Sequence, residues 1–413
     1  MQNANSYFGP DFFSSNRAKL RAASGSEVPI VITGNGNMQR AGDEAYKFHQ
    51  DSSFWYLTGL SAPDLTLVIG TKDVYLIAPT LSFERQAFDG AHDLTAFVAR
   101  SGITEIVDSK TGWEKLKREL RHTHTVATLL SPPVHMKRHG LYTLPFRRRL
   151  TEKLKRLAPG LAIQDVRVEL AYLRSLKQPE ELQALQRAID ITIETIAEVR
   201  TPQFLQAINY EYQLEAAISF GFRSRGAEGN AFDPIVGAGQ HTTTLHHLEN
   251  NGPITANDLI VLDIGASVEH YAADITRTVS GRALGTRQAE VFAAVAQVQD
   301  YALSIIKPGI KPFEYEKLVE AHMGEVLLGL GVITEATREN IRRYFPHATS
   351  HFLGLDTHDA GDYSKSYEAG MVITCEPGIY IPEEGIGVRI EDDVLITDTG
   401  CTVLSRACPR AAF

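Results

Sequence analysis

Leu259-Ile260-Val261-Leu262-Asp263-Ile264-Gly265 is an apolar run with one carboxylate near its middle. Apolar and β-branched residues predict a buried strand. A lone aspartate in such a strand is costly unless it is paired or holds a cation. Eleven residues on, Tyr271-Ala272-Ala273-Asp274-Ile275-Thr276 repeats the pattern. With Ala266-Ser267-Val268-Glu269-His270 as the turn, the two strands pair antiparallel and Asp263 lies nearly opposite Asp274. Directly opposed residues share a face, with Cβ atoms about 5 Å apart. Two like charges there repel unless a cation lies between them.

The motif recurs near the C-terminus. Val372-Ile373-Thr374-Cys375-Glu376-Pro377-Gly378 is a strand ending on a glutamate, and Gly387-Val388-Arg389-Ile390-Glu391-Asp392-Asp393-Val394 is another, with Glu391 fifteen residues after Glu376. Between the pairs, His347, His351 and His358 fall within twelve residues, and neutral imidazole is a common ligand of divalent metals. Gathering Asp263, Asp274, Glu376 and Glu391 puts four negative charges in one site, which two divalent cations neutralise. An oxygen-rich set with one imidazole suits Mn²⁺ better than a thiolate-loving metal, and ligand type leaves Zn²⁺, Co²⁺ and Fe²⁺ open.

Around this core the chain of 413 residues has room for about two domains. The first alternates short strands with helical patterns: Leu65–Ile69 and Val74–Ile77 flank the hairpin signal Gly70-Thr71-Lys72-Asp73, and Thr125–Leu130 is another strand. Pro159-Gly160 breaks the pattern, and we place the boundary near residue 167, giving domains 1–167 and 168–413. In the second, Pro179 starts a helix with Glu180 and Glu181 in its first turn, which Thr201-Pro202 stops. Two more long helices run from about Arg287 to Ile306 and from Pro312 to Leu330. The fold class is therefore mixed α/β (α+β).

Composition is that of an ordinary soluble globular protein, 43% hydrophobic and 22% charged. A net charge of −9 without an offsetting basic patch argues against nucleic-acid and anionic-membrane partners. The basic run Phe146 to Arg156 reads as the wet face of a surface helix. Cys375, Cys401 and Cys408 are too few for a disulfide framework, Met1–Asn5 shows no secretory signal, and no apolar run is long enough to span a bilayer. The expectation is a reduced, cytoplasmic protein. Gly34-Asn35-Gly36-Asn37 is a glycine turn rather than a phosphate loop, so no nucleotide cofactor is expected. Cys375 and the run Phe54-Trp55-Tyr56 read as buried core.

These motifs, with Ser350-His351-Phe352-Leu353-Gly354-Leu355-Asp356-Thr357-His358-Asp359, Thr374–Tyr380 and the N-terminal stretch Tyr46–Gly59, resemble the aminopeptidase P and prolidase branch of the pita-bread metallopeptidases. The resemblance implies a creatinase/prolidase-type α/β domain followed by a pita-bread catalytic domain. It implies that Asp263 chelates one metal, His351 and Glu376 the other, and Asp274 and Glu391 bridge them. Family histidines outside the ligand set map onto His246, His347 and His358, and the arginine beside the last ligand onto Arg389. Where the family usually has an aromatic after the first of these histidines, this chain has His246-His247; either ring could face the cleft, and His246 is the preferred counterpart. The implied activity is a Xaa-Pro aminopeptidase acting on proline-containing peptides as a homo-oligomer, dimer or tetramer. Glu376 serves as its general base, and stabilisation of the oxyanion falls to His246 or His358. Prolidase, which uses the same site on dipeptides, is the alternative. Methionine aminopeptidase lacks the first domain, and creatinase works without metals. The connection from Tyr380 to Gly387 is shorter than in typical aminopeptidases P, which bears on substrate length. Beside Arg389, Asp392 or an acid of the site offers an ion-pair partner.

Overall fold

The structure, a computed structural model, describes residues 6–25, 27–132 and 140–412; the stretch 1–5 read above for a signal lies outside them. The chain divides into two compact units, Met1–Arg174 and Ser175–Phe413. The helix Arg167–Ser175 closes the first, because its end is bonded there: the Tyr56 hydroxyl donates to the Leu173 carbonyl and Arg174 donates to Ser53.

The first unit is built on a six-stranded sheet, in the spatial order Glu105–Asp108, Val74–Ala78, Thr66–Ile69, Ile30–Thr33, Thr125–Thr128, Ala162–Asp165. The hairpin expected around residues 70–73 is present, with Ile69 opposite Val74. The outer strands join in parallel, and parallel pairing needs a crossover. That between Val74–Ala78 and Glu105–Asp108 carries the helices Phe83–Asp89 and Leu94–Ser101. The helix Ser109–Thr123, capped by the Asp108 carboxylate on the N–H groups of Lys110 and Thr111, links Glu105–Asp108 to Thr125–Thr128, which are not neighbours in the sheet. In the helix Phe146–Leu157, Leu150 and Leu154 are buried against the sheet core while Arg148, Arg149 and Arg156 face outward, as the basic run suggested; Arg147 instead pairs with Asp51 at 2.7 Å. Phe54, Trp55 and Tyr56 are buried, and edge-on contacts tie Trp55 to Phe8 and Phe13.

The second unit surrounds small antiparallel sheets with helices. The helix Pro179–Val199 begins as read, Glu181 accepting the Gln178 backbone N–H. The helices Thr286–Ile305 and Pro312–Gly329 bury Val295, Val298, Tyr315 and Val319 in the same core as Ile373, Cys375 and Val388. Cys375 is fully buried, as expected of filler.

Two hairpins carry the acidic residues. In the first, Ile260–Ile264 pairs with Ile275–Val279, and Asp263 stands opposite Thr276 rather than Asp274. The five-residue turn assumed from the sequence is corrected: Ala266–Val268 is itself a strand pairing with Tyr271–Ala272, and the turn is only Glu269-His270. Both turn residues have left-handed φ, 46° and 69°, the conformation of a two-residue hairpin turn usually made by Asn-Gly. The tighter turn displaces the register, so Asp274 falls diagonal to Asp263 on the same face. In the second hairpin Cys375 pairs with Asp392, and counting one residue on puts Glu376 opposite Glu391. Among the described residues no helix is long and apolar enough to cross a membrane.

Candidate metal centre

The hairpins are stitched where their acids lie. The Glu391 N–H donates to the Thr276 carbonyl, and the Thr276 hydroxyl donates to Glu391 Oε2 at 2.6 Å. Arg277, buried behind the same strand, donates to the carbonyls of Thr276 and Glu391 and pairs with Asp392 at 2.7 Å. Asp392 is therefore committed to Arg277. Arg389 pairs instead with Asp263, Nη2 to Oδ2 2.7 Å.

Asp274, His351 and Glu391 present donor atoms all within 4.8 Å of one another. His351 Nε2 lies 3.4 Å from Asp274 Oδ2 and 3.4 Å from Glu376 Oε1. The other ring nitrogen, Nδ1, sits 3.0 Å from the Phe352 carbonyl. A carbonyl can only accept, so Nδ1 carries a proton there, and Nε2 is the ring nitrogen turned on the two carboxylates. Asp263 Oδ1 and Asp274 Oδ1 are buried with no N–H or O–H donor, although Asp263 and Asp274 are within hydrogen-bonding reach of each other. Burial and then the charges of Asp263, Asp393 and Glu376 push Asp274 well above the usual carboxylate range. Burial, Asp274, Glu376 and Asp263 do the same to Glu391. Burial raises Glu376 too, against the pull of His351 and Arg389.

Two ionised carboxylates within 4.8 Å of one another repel by roughly 3 kcal/mol at the effective dielectric of a protein. Lone pairs without donors, an imidazole with its basic nitrogen facing oxygens, and mutual repulsion all fit cations at this point. The five residues Asp263, Asp274, His351, Glu376 and Glu391 are the groups that could hold them. Surrounding bonds aim them: the Thr374 hydroxyl donates to Glu376 Oε1, and Asp393 accepts the Asp274 backbone N–H.

Three further histidines line up beside this set. His347 Nε2 is 2.9 Å from the Tyr380 hydroxyl, which in turn accepts from Arg389 Nη1 at 2.8 Å. A chain of bonds thus runs Asp263–Arg389–Tyr380–His347. Burial, helped by Arg389, lowers His347 to about 3, so it is neutral. The His358 ring lies 4.3 Å from that of His351, and burial followed by His351 and His246 lowers it to about 4. His246 is exposed and close enough to act electrostatically on both His347 and His358. His247 is buried and bonded to Glu211. Of the pair His246-His247, the second ring is therefore committed to Glu211, and the first lies near the other histidines.

Tyr380, to which the sequence assigned no role, is buried, but its hydroxyl joins Arg389 to His347. Nothing in its spacing distinguishes it from the apolar residues around it. Thr276 and Thr374 were also unmarked, since a threonine in a strand is ordinary.

Residues 183–398 match metallopeptidase family M24, and residues 13–127 match the aminopeptidase P N-terminal domain. Xaa-Pro aminopeptidase 3 of Rattus norvegicus is 33% identical over 94% of this chain and 80% of its own length. The Xaa-Pro aminopeptidase of Escherichia coli (strain K12) is also 33% identical, over 87% of this chain and 86% of its own. Among solved structures, aminopeptidase P from E. coli with the inhibitor Pro-Leu superposes with a TM-score of 0.84 at 27% identity, covering 97% of this chain and 96% of that one. The zinc-substituted form of the E. coli enzyme in complex with product gives 0.83 over the same shares. Hairpin acids, histidine cluster and both matched regions agree: the chain belongs to metallopeptidase family M24, in its aminopeptidase P branch.

Proposed function

We propose that the chain is a metallo-aminopeptidase that removes the N-terminal residue from peptides with proline in second position. The observation that carries it is His351 Nε2 facing Asp274 and Glu376 beside the donor-free oxygens of Asp263 and Asp274. On this reading Asp263, Asp274, His351, Glu376 and Glu391 hold two divalent ions, Mn²⁺ by the hardness of the oxygen-rich set. Such ions, when bound, would supply a water acidic enough to serve as nucleophile at neutral pH and a Lewis acid for the scissile carbonyl.

The chain's own residues do the rest. Glu376 takes the proton of the attacking water and returns it to the prolyl nitrogen, base first and acid second. That nitrogen belongs to a tertiary amide with no N–H, so the proton has to be supplied to it before it can leave. His358, kept neutral by burial, or His246 offers an N–H donor to the oxygen that gains charge. Asp263, Arg389, Tyr380 and His347 form the rigid wall that keeps these groups aimed. A cytoplasmic, homo-oligomeric enzyme completes the reading; three unpaired cysteines and the family resemblance support it.

The test compares an X-Pro dipeptide with an X-Pro-X tripeptide in the presence of Mn²⁺. Release of the first residue from the tripeptide, with little turnover of the dipeptide, is the expected result. Turnover of the dipeptide alone makes the chain a prolidase; turnover of neither removes the reading.

A further inference from the structure

Glu211, Nterminal residue of the helix Glu211–Ser224, lies outside the metal centre and is fully buried. Four N–H groups converge on its carboxylate. Oε1 accepts from the Ala238 backbone at 2.8 Å and from His241 Nδ1 at 2.9 Å; Oε2 accepts from the Gly252 backbone at 2.7 Å and from His247 Nε2 at 2.8 Å. The two rings pack against each other with centroids 4.1 Å apart. The approach is close enough that a Cβ on Gly252 would stand 2.6 Å from the His241 ring and 2.9 Å from Glu211 Oε2. With every lone-pair direction taken by a donor, the group is a hydrogen-bonded clamp rather than a cation site. Burial pushes the Glu211 carboxyl up, and the four bonds more than reverse this, leaving it below its ordinary value.

The clamp grips one segment at both ends. Ala238 and His241 precede, and Gly252 follows, the stretch 244–251 that carries His246; His247 is the grip in its middle. Asn250 pins the far side separately, accepting from the Val236 N–H and donating to the Pro234 carbonyl. His246 is the immediate neighbour of a gripped residue and lies close enough to His347 and His358 to act on both electrostatically.

We propose that Glu211 is a positioning residue for catalysis: by holding His241 and His247 it fixes the backbone that turns His246 toward the substrate. This rests on the reading that His246 meets the substrate carbonyl. Glutamine at 211 cannot accept from all four donors, since its amide nitrogen meets an N–H. Misplacement of a reacting group by about 1 Å costs up to about a hundredfold in rate.

The experiment is a double-mutant cycle on the Mn²⁺-loaded full chain, measuring kcat and KM on an X-Pro-X tripeptide together with metal content by elemental analysis. Glu211→Gln is expected to lower kcat/KM between about tenfold and a hundredfold while two metal equivalents remain. In a His246→Ala background the same change is expected to cost less than about twofold, because the group it positions is gone. Equal losses in the two backgrounds, loss of metal, or full activity of Glu211→Gln overturns the proposal. Should Glu211→Gln not fold, His247→Leu against His247→Gln decides. Glutamine keeps an N–H where Nε2 stands and is expected to recover most of the activity that leucine loses; equal losses overturn the proposal. A wild-type chain that leaves the tripeptide intact overturns the functional reading instead.

Discussion

At the residue scale the centre is a set of charges that no hydrogen-bond arrangement satisfies. Glu391 receives a hydroxyl from Thr276 and Asp263 receives Arg389, yet Asp263 Oδ1 and Asp274 Oδ1 have no donor. Glu376 differs from its neighbours in being approached by two imidazoles, His351 Nε2 at 3.4 Å and His347 Nδ1 at 3.6 Å. That environment suits a carboxylate that holds a proton for part of the cycle. Glu376→Gln keeps one coordinating oxygen and removes the proton acceptor. It is expected to lower kcat by about 10²- to 10⁴-fold with KM little changed and metal content retained. Steady-state kinetics with elemental analysis checks this, and turnover near the wild-type rate would take Glu376 out of the proton relay. The four acidic positions were legible because a carboxylate in an apolar strand is anomalous, whereas His351 was one of three clustered histidines and stood out only through the family resemblance. Tyr380 and Glu211 were not legible, because their roles lie in contacts with Arg389 and with His241 and His247, which are distant in sequence.

At the element scale the hairpin of Asp263 and Asp274 depends on one glycine. A Cβ on Gly265 would stand 1.7 Å from the Ala273 carbonyl oxygen, a backbone atom that cannot give way. Gly265→Ala is expected to destabilise by at least the upper end of the roughly 1–3 kcal/mol typical of overpacking. It should also release metal, since the strand bearing Asp263 must shift. Denaturant midpoints and metal content measure both; an unchanged midpoint would show that the hairpin has slack. The junction of this hairpin with the helix Pro179–Val199 holds a second lever. The buried Glu181 accepts the Tyr271 hydroxyl at 2.8 Å, and burial raises its pKa to about 7 against an ordinary 4.5. A carboxyl raised on folding keeps its proton longer in the folded state. Stability is therefore full below pH 4.5 and falls as pH rises toward 7, by about 3 kcal/mol in all. Glu181→Gln is expected to flatten that fall, so the variant gains on the parent between pH 5 and pH 8. Parallel urea-midpoint curves over that range would refute it. The hairpin's register was misread for a local reason: Glu269-His270 adopts left-handed φ without the glycine or asparagine that announces such a turn.

At the scale of the whole molecule, cations and fold are linked. Ions that bind the folded chain and not the unfolded one stabilise it by about 2.7 kcal/mol at a hundredfold excess over Kd. For a unit of this size that corresponds to about 5–10 °C in Tm. Stripping with a chelator is expected to lower the melting temperature by that amount, and Mn²⁺ to restore it; a Tm indifferent to both would remove the metal from the folded state. The sequence by itself determined two α/β units, the strands and long helices of the second, and which acids and histidines are out of place in apolar surroundings. Periodicity and burial cost are local properties, readable over a few residues. That Asp263 pairs with Arg389, that His247 is bound to Glu211, and that a tyrosine belongs to the site emerged only in the folded chain. Those outcomes depend on which side chains of remote segments meet. Partner choice between remote segments is settled by packing and by the two-residue turn, and neither leaves a mark in the spacing of the residues concerned.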